Sequence, residues 1–198
     1  TSNQFMEMSL SEYRRIALMS LWTGLIVTVG MVFALIPNIE LIILSAFLGG
    51  VALGPRRGLI VALVAEAIFS ALNPIGSGLG FPVLYLFQII SMGLSGLTGG
   101  LLSRFLAKEQ PYLLTSIALG IIGFLLTMFY DVLTTLSFPI SSGMTEGTVW
   151  ATLSAGIIFF VTHLVSNTIM FSLFGPGLVR LVLRQLEMHG LLRGQHAG

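Results

Sequence analysis

The 198-residue chain carries nine Lys or Arg and eight Asp or Glu residues, so 9% of it is charged, against about a quarter of an average soluble domain. Hydrophobic residues make up 55% and the mean hydropathy is +0.97, which leaves no polar skin for a soluble enzyme and no composition for a disordered chain. A net charge of +1 offers no bulk attraction to nucleic acid. Cysteine is absent, which excludes disulfides, thiolate metal sites and thiol nucleophiles.

What remains is an all-α, polytopic membrane protein, in which each span takes roughly 20 residues. Apolar runs divided by Pro, Gly, Asn and charge predict six spans in one compact bundle, a single domain over 1–198. The first, 16–36, ends at Pro37-Asn38. The second, 39–53, ends at Gly54-Pro55 and Arg56-Arg57. The third, 58–72, closes on Asn73-Pro74. The fourth, 82–106, opens with Pro82 at a helix start and is followed by Lys108-Glu109. The fifth covers 111–138. The sixth, 148–174, is broken by Gly175-Pro176-Gly177. The second and third are short, which implies tilt, local thinning or partial unwinding. The first apolar stretch exceeds the roughly 7–15 residues of a signal-peptide core and no small-x-small site follows it, so it is expected to remain as a span. The tail, 177–193, sets Arg180 and Arg184 one turn apart among leucines and valines, an amphipathic helix for the cytoplasmic face. No internal repeat is visible.

The cations supply an orientation. Arg14 and Arg15 precede the first span, Arg56 and Arg57 lie between the second and third, Arg104 and Lys108 between the fourth and fifth, and Arg180, Arg184 and Arg193 after the sixth. The other connections, at 37–38, 73–81 and 138–147, hold no Lys or Arg. The positive-inside rule then places both termini in the cytoplasm, N-in and C-in. A miscounted span would destroy this alternation.

Ionisable groups at membrane depth are costly and mark candidate sites. Glu66 falls near the middle of the third span and His163 near the middle of the sixth. Asp131 lies towards the outer end of the fifth. Tyr85 and Gln88 share a face of the fourth span with Met92. Thr127, Asp131 and Thr134 share one of the fifth, beside Tyr130. His163 and Asn167 share one of the sixth. Asn73 ends the third span, and Glu40 reads as a cap of the second. Lipid cannot satisfy such stripes, so they are expected to face inward. With the glycine-bearing loops IGSGLG (75–80) and SSGMTEGT (141–148) at the same end, they outline an outward-facing, mostly apolar pocket. Helix–helix glue is the competing reading for Asn73 and Gln88, a buried network for His163, Asn167 and Glu66, and an aromatic belt for Tyr85 and Tyr130. The outer half holds no Lys or Arg, so a neutral or cationic solute is favoured over an anion. Nothing in the pattern calls for a metal or cofactor.

Small residues mark helix contacts. Ser20, Gly24 and Thr28 recur every four residues in the first span, Gly50 and Gly54 in the second, and Gly96 and Gly100 in the fourth. Close internal packing is the first reading; an intermolecular seam is the alternative, for which the first span is the best candidate.

The stretch PNIELIILSAFLGGVALGPRRGLIVALVAEAIFSALNPIGSG (37–78), followed by FPVLYLFQIISMGLSGLTGGLL (81–102), resembles the S components of energy-coupling factor (ECF) transporters. The shared pattern is a Pro-Asn-x-Glu entry, a Gly-Pro-Arg-x-Gly cytoplasmic turn, an Asn-Pro-x-Gly external turn and a Gln-bearing fourth span. The resemblance implies a protein of the prokaryotic plasma membrane that captures a vitamin or related micronutrient from outside. It implies delivery through a transmembrane coupling protein driven by two cytoplasmic ATPases, with no hydrolysis by the S component itself. It places the solute among the outer parts of spans four to six: Tyr85 and Gln88, Tyr130 and Asp131, His163 and Asn167. It places docking on the first span, where the family's Ala-x-x-x-Ala is replaced by Ala17-x-x-x-Leu21 and the small spacing falls to Ser20 and Gly24.

Two other readings stand beside it. Gly93-Leu94-Ser95-Gly96 with His163 is similar to the Ser–His dyad of rhomboid intramembrane proteases, where His163 would activate Ser95. Ser95 lies deep for water, the first external turn is short, and no Gly-x-x-x-Gly follows His163. A membrane scaffold of the cell-wall morphogenesis type is the third reading, because a fold outlasts any one function.

Overall fold

The computed structural model describes residues 10–36 and 41–188. Every regular element in them is helical: α1 (Leu10–Phe33), α2 (Ile42–Leu53), α3 (Pro55–Leu72), a 3-10 turn (Gly78–Gly80), α4 (Pro82–Leu106), α5 (Tyr112–Ser142), α6 (Glu146–Leu173) and α7 (Gly175–Met188). The expected turn at Pro37-Asn38, the cap at Glu40, and Arg193 with the end of the tail lie outside the described residues.

Four helices are long and apolar enough to cross a membrane: Glu12–Phe33, Pro82–Leu106, Tyr112–Ser142 and Glu146–Leu173. The other two expected spans are of a different kind. α2 has 12 residues, about 18 Å at a rise of 1.5 Å each, well short of a hydrocarbon core of about 30 Å. α3 has 18 residues, opens on Arg56 and Arg57, and carries Glu66 inside.

Several boundaries move from their expected places, each for a physical reason. α1 starts at Leu10 rather than 16, because Glu12, Arg14 and Arg15 extend a helix as readily as apolar residues do. α5 does not stop at 138 but runs through Pro139 to Ser142. Pro139 removes a backbone donor, and hydroxyls crowd the same turns: Ser137 donates to Thr134 O (2.6 Å), Ser141 to Ser137 O (2.8 Å) and Ser142 to Phe138 O (2.8 Å). α6 starts at Glu146 rather than 148, because Thr145 and Thr148 form a reciprocal capping box.

α2 sits at the centre, with all twelve residues buried. α3 and α4 flank it, α1 lies against α2 and α3, and α7 packs back onto α2. Glycines allow this. A Cβ on Gly50 would meet the Gly96 carbonyl, one on Gly96 the Gly58 carbonyl, and one on Gly99 the Phe47 carbonyl. Gly54, at φ +81°, makes the single-residue joint between α2 and α3. Gly50, Gly96 and Gly100 are therefore internal contacts, as first expected.

α5 and α6 form an antiparallel pair, joined to the rest chiefly through α4. Phe171 of α6 fills the space above Gly123 of α5 and meets Phe47 of α2 edge-on, ring centres 5.6 Å apart. The stripe on α1 behaves differently from the other small residues. Ala17, Ser20, Gly24 and Thr28 are all exposed, and a Cβ on Gly24 would meet nothing within 4 Å.

Candidate functional site

The inward stripes of four helices meet in one polar cluster. On α3, Ser70 lies one turn beyond Glu66 and donates to Gln88 Oε1 of α4 (2.6 Å). Gln88 Nε2 donates to the Tyr130 hydroxyl of α5 (3.3 Å). The Tyr130 ring meets the His163 ring of α6 at 66°, centres 6.0 Å apart. His163 Nδ1 lies 2.6 Å from Asp131 Oδ1, an imidazole N–H paired with a carboxylate. Phe159, one helical turn away, stacks on the other side of the His163 ring at 5.6 Å. His163 and Asp131 are 0% and 3% exposed. The imidazole is thus held by a carboxylate, a tyrosine edge and a phenyl face.

A second tier lies one turn deeper. The α5–α6 pairing aligns Asp131 with His163 and Gly123 with Phe171, so Thr127 and Asn167 fall opposite each other between them. Both are buried. Asn167 Nδ2 donates to His163 O (3.2 Å), but Asn167 Oδ1 and Thr127 Oγ1 have no hydrogen-bond partner. Leaving such a group unsatisfied costs about 1–3 kcal/mol, so a native fold that keeps both of them calls for an explanation beyond packing. Glu66 and Met92, also buried, lie one turn below Ser70 and Gln88 on their own helices.

This end of the bundle is capped by the 75–80 loop. Gly78 is buried so closely over Ser70 that a Cβ there would strike the Ser70 hydroxyl. Ser77 ties the loop down by donating to Ala71 O (2.8 Å), and Asn73 Oδ1 accepts from Ile75 N (2.9 Å).

The candidates therefore separate. Gln88, Tyr130, Asp131, His163 and Asn167 come together, with Glu66 on the adjoining α3 face. Tyr85 is tied to Ala67 O (3.0 Å) and braces α3 against α4. Asn73 shapes the loop and lines a separate small cavity of about 50 Å³ with Gly30, Phe33, Ile42 and Phe69. Ser70, Gly78 and Phe159 were not singled out by sequence. Ser70 could have been, since it lies i+4 from Glu66, and Phe159 since it lies i−4 from His163.

Among the described residues, no three His, Asp or Glu side chains converge as metal ligands. The arrangement offers hydrogen-bonding oxygens, a carboxylate-held imidazole and aromatic faces, with no Lys or Arg among these residues. The chain matches no family model, no curated protein and no solved structure.

Proposed function

We propose that this protein is a solute-binding S component of an ECF-type importer, taking up a neutral or cationic micronutrient. In this reading six segments cross the prokaryotic plasma membrane, the short α2 and α3 with tilt or local thinning. Both termini are cytoplasmic, the side to which the positive-inside rule assigns all nine cations. The solute enters from outside beneath the 75–80 loop and meets Gln88, Tyr130, Asp131 and His163. A coupling protein with two ATPases then drives its release inward.

The observation that carries the reading is the pair of buried, unpartnered oxygens on Thr127 and Asn167, each one helical turn along from the Asp131–His163 pair. A solute polar group placed there would satisfy both. The open stripe of Ala17, Ser20, Gly24 and Thr28 supports the other half of the proposal, since a partner helix can approach the α1 backbone closely.

One side-chain fact counts against the protease reading: the Ser95 hydroxyl donates to Ser91 O (3.1 Å).

The test is mass spectrometry of the small molecule that co-purifies, followed by titration of that molecule into emptied protein. Asp131→Asn and His163→Ala are each expected to weaken binding at least tenfold, about 1.4 kcal/mol or more. Undiminished affinity in both variants would remove the site. Cleavage of a membrane substrate that depends on Ser95, with no solute bound, would replace the reading with the protease.

A further inference from the structure

At the opposite end of the molecule, the turn after α4, the start of α5 and α7 enclose a groove of about 620 Å³, within the roughly 300–1,000 Å³ of small-ligand sites. Lys108, Glu109, Arg180, Arg184 and Glu187 line it, three cations with two carboxylates. It is built, not incidental. Arg180 donates to Gln110 O (3.2 Å) and lies over the Tyr112 ring, 5.2 Å from its centre. This fixes α7 to the start of α5 and holds one wall in place. On α7 the buried Val179 and Leu183 line it beside the exposed Arg180, Arg184 and Glu187, with Leu106 and Ala107 facing them, so the wall is part apolar and part charged.

The surroundings of the groove identify its occupant. Exposed apolar residues stand beside it: Leu113 and Leu114 on α5, and Leu178 and Leu181 on α7. Polar lining of both signs next to bare hydrocarbon-facing surface suits a molecule with a doubly charged head and apolar tails. A free phosphate compound would leave the apolar side unused. Basic pockets at this face are also where lipid headgroups concentrate.

We propose that the groove binds the headgroup of an aminophospholipid, with its phosphate on Lys108 and Arg184 and its primary ammonium on Glu109 and Glu187. Arginine and lysine are the usual phosphate partners. The two carboxylates explain why a purely anionic headgroup is the poorer fit. The bound lipid fills the angle between α5 and α7 and anchors the amphipathic helix at the membrane surface. The inference rests on the membrane reading and on this face being cytoplasmic, not on the import of any solute.

The experiment is native mass spectrometry of the full chain, stripped in detergent and offered equal phosphatidylethanolamine, phosphatidylcholine and phosphatidylglycerol with identical acyl chains. Retention of the ethanolamine lipid is expected to exceed that of each of the others at least fivefold. Lys108→Ala with Arg184→Ala should cut it at least fivefold, and Glu109→Gln with Glu187→Gln should erase the preference over choline. All four side chains are exposed, so the variants are expected to keep the parent melting temperature. Equal retention of the three lipids, or insensitivity to both double variants, would overturn the proposal. Displacement by millimolar phosphoethanolamine alone would also overturn it, by making the tails irrelevant. Solute retained in the same spectra is read separately, so the two proposals fail independently.

Discussion

The α2–α4 half and the α5–α6 half solve the same problem, burying helices against one another, by opposite means. In α2–α4 the contacts are backbone on backbone, with Gly50, Gly58, Gly96 and Gly99 leaving no room for a Cβ. In α5–α6 the upper contact is made by side chains that need partners: Asp131 with His163, and Thr127 opposite Asn167. Glycine packing gives a rigid body with little chemistry. Polar packing gives chemistry with an incomplete hydrogen-bond account. Gln88 and Tyr130 make a polar stitch between the two, and Phe47 with Phe171 an aromatic one.

The sharpest way to break this contrast is Gly50→Leu, which drives a branched side chain into the Gly96 carbonyl. Overpacking usually costs about 1–3 kcal/mol, and because backbone cannot step aside here, no monodisperse protein is expected on size exclusion. Next in size is His163→Ala, which leaves Asp131 buried without its imidazole. A loss of about 3–5 kcal/mol in stability is expected from melting in detergent. Smaller again is Tyr130→Phe, which removes the acceptor of Gln88 Nε2 and should cost about 1 kcal/mol. Thr127→Val is the diagnostic case. Replacing an unpartnered hydroxyl by an isosteric methyl should leave the empty protein as stable or more so, while solute affinity falls about tenfold; unchanged affinity would reduce the second tier to a packing defect. The smallest effect belongs to Gly24→Ala, within about 0.5 kcal/mol apart from a helix-propensity gain. Gly24→Leu should spare solute binding yet impair assembly with a coupling protein, and intact assembly would move docking off α1.

How much of this was legible in the sequence differs along the chain. Pro82 and the Arg104–Lys108 cluster bracket α4 correctly, because proline and charge are local signals. The stop expected at 138 failed because Pro139 removes a single backbone donor, and α5 continues past it to Ser142. In the site, the face shared by His163 and Asn167 follows from helical spacing alone. The pairing of His163 with Asp131 does not, since the register between α5 and α6 is set by Phe171 seating over Gly123, a fit between two helices. Tyr85 illustrates the reverse. Its i, i+3 relation to Gln88 is real, yet its hydroxyl turns to Ala67 O, a backbone carbonyl of the neighbouring α3. Spacing tells which side chains share a face; it does not tell which neighbour they will find.

The short, fully buried α2 also has a consequence for biogenesis. A segment of 12 residues cannot stand in the bilayer by itself, and its wrapping comes from α3 and from α4, which is made later. During synthesis, which proceeds from the N-terminus, α2 must therefore wait, held by the insertion machinery or by α1. The earliest piece of chain able to shelter it ends at Leu106, where α4 is complete.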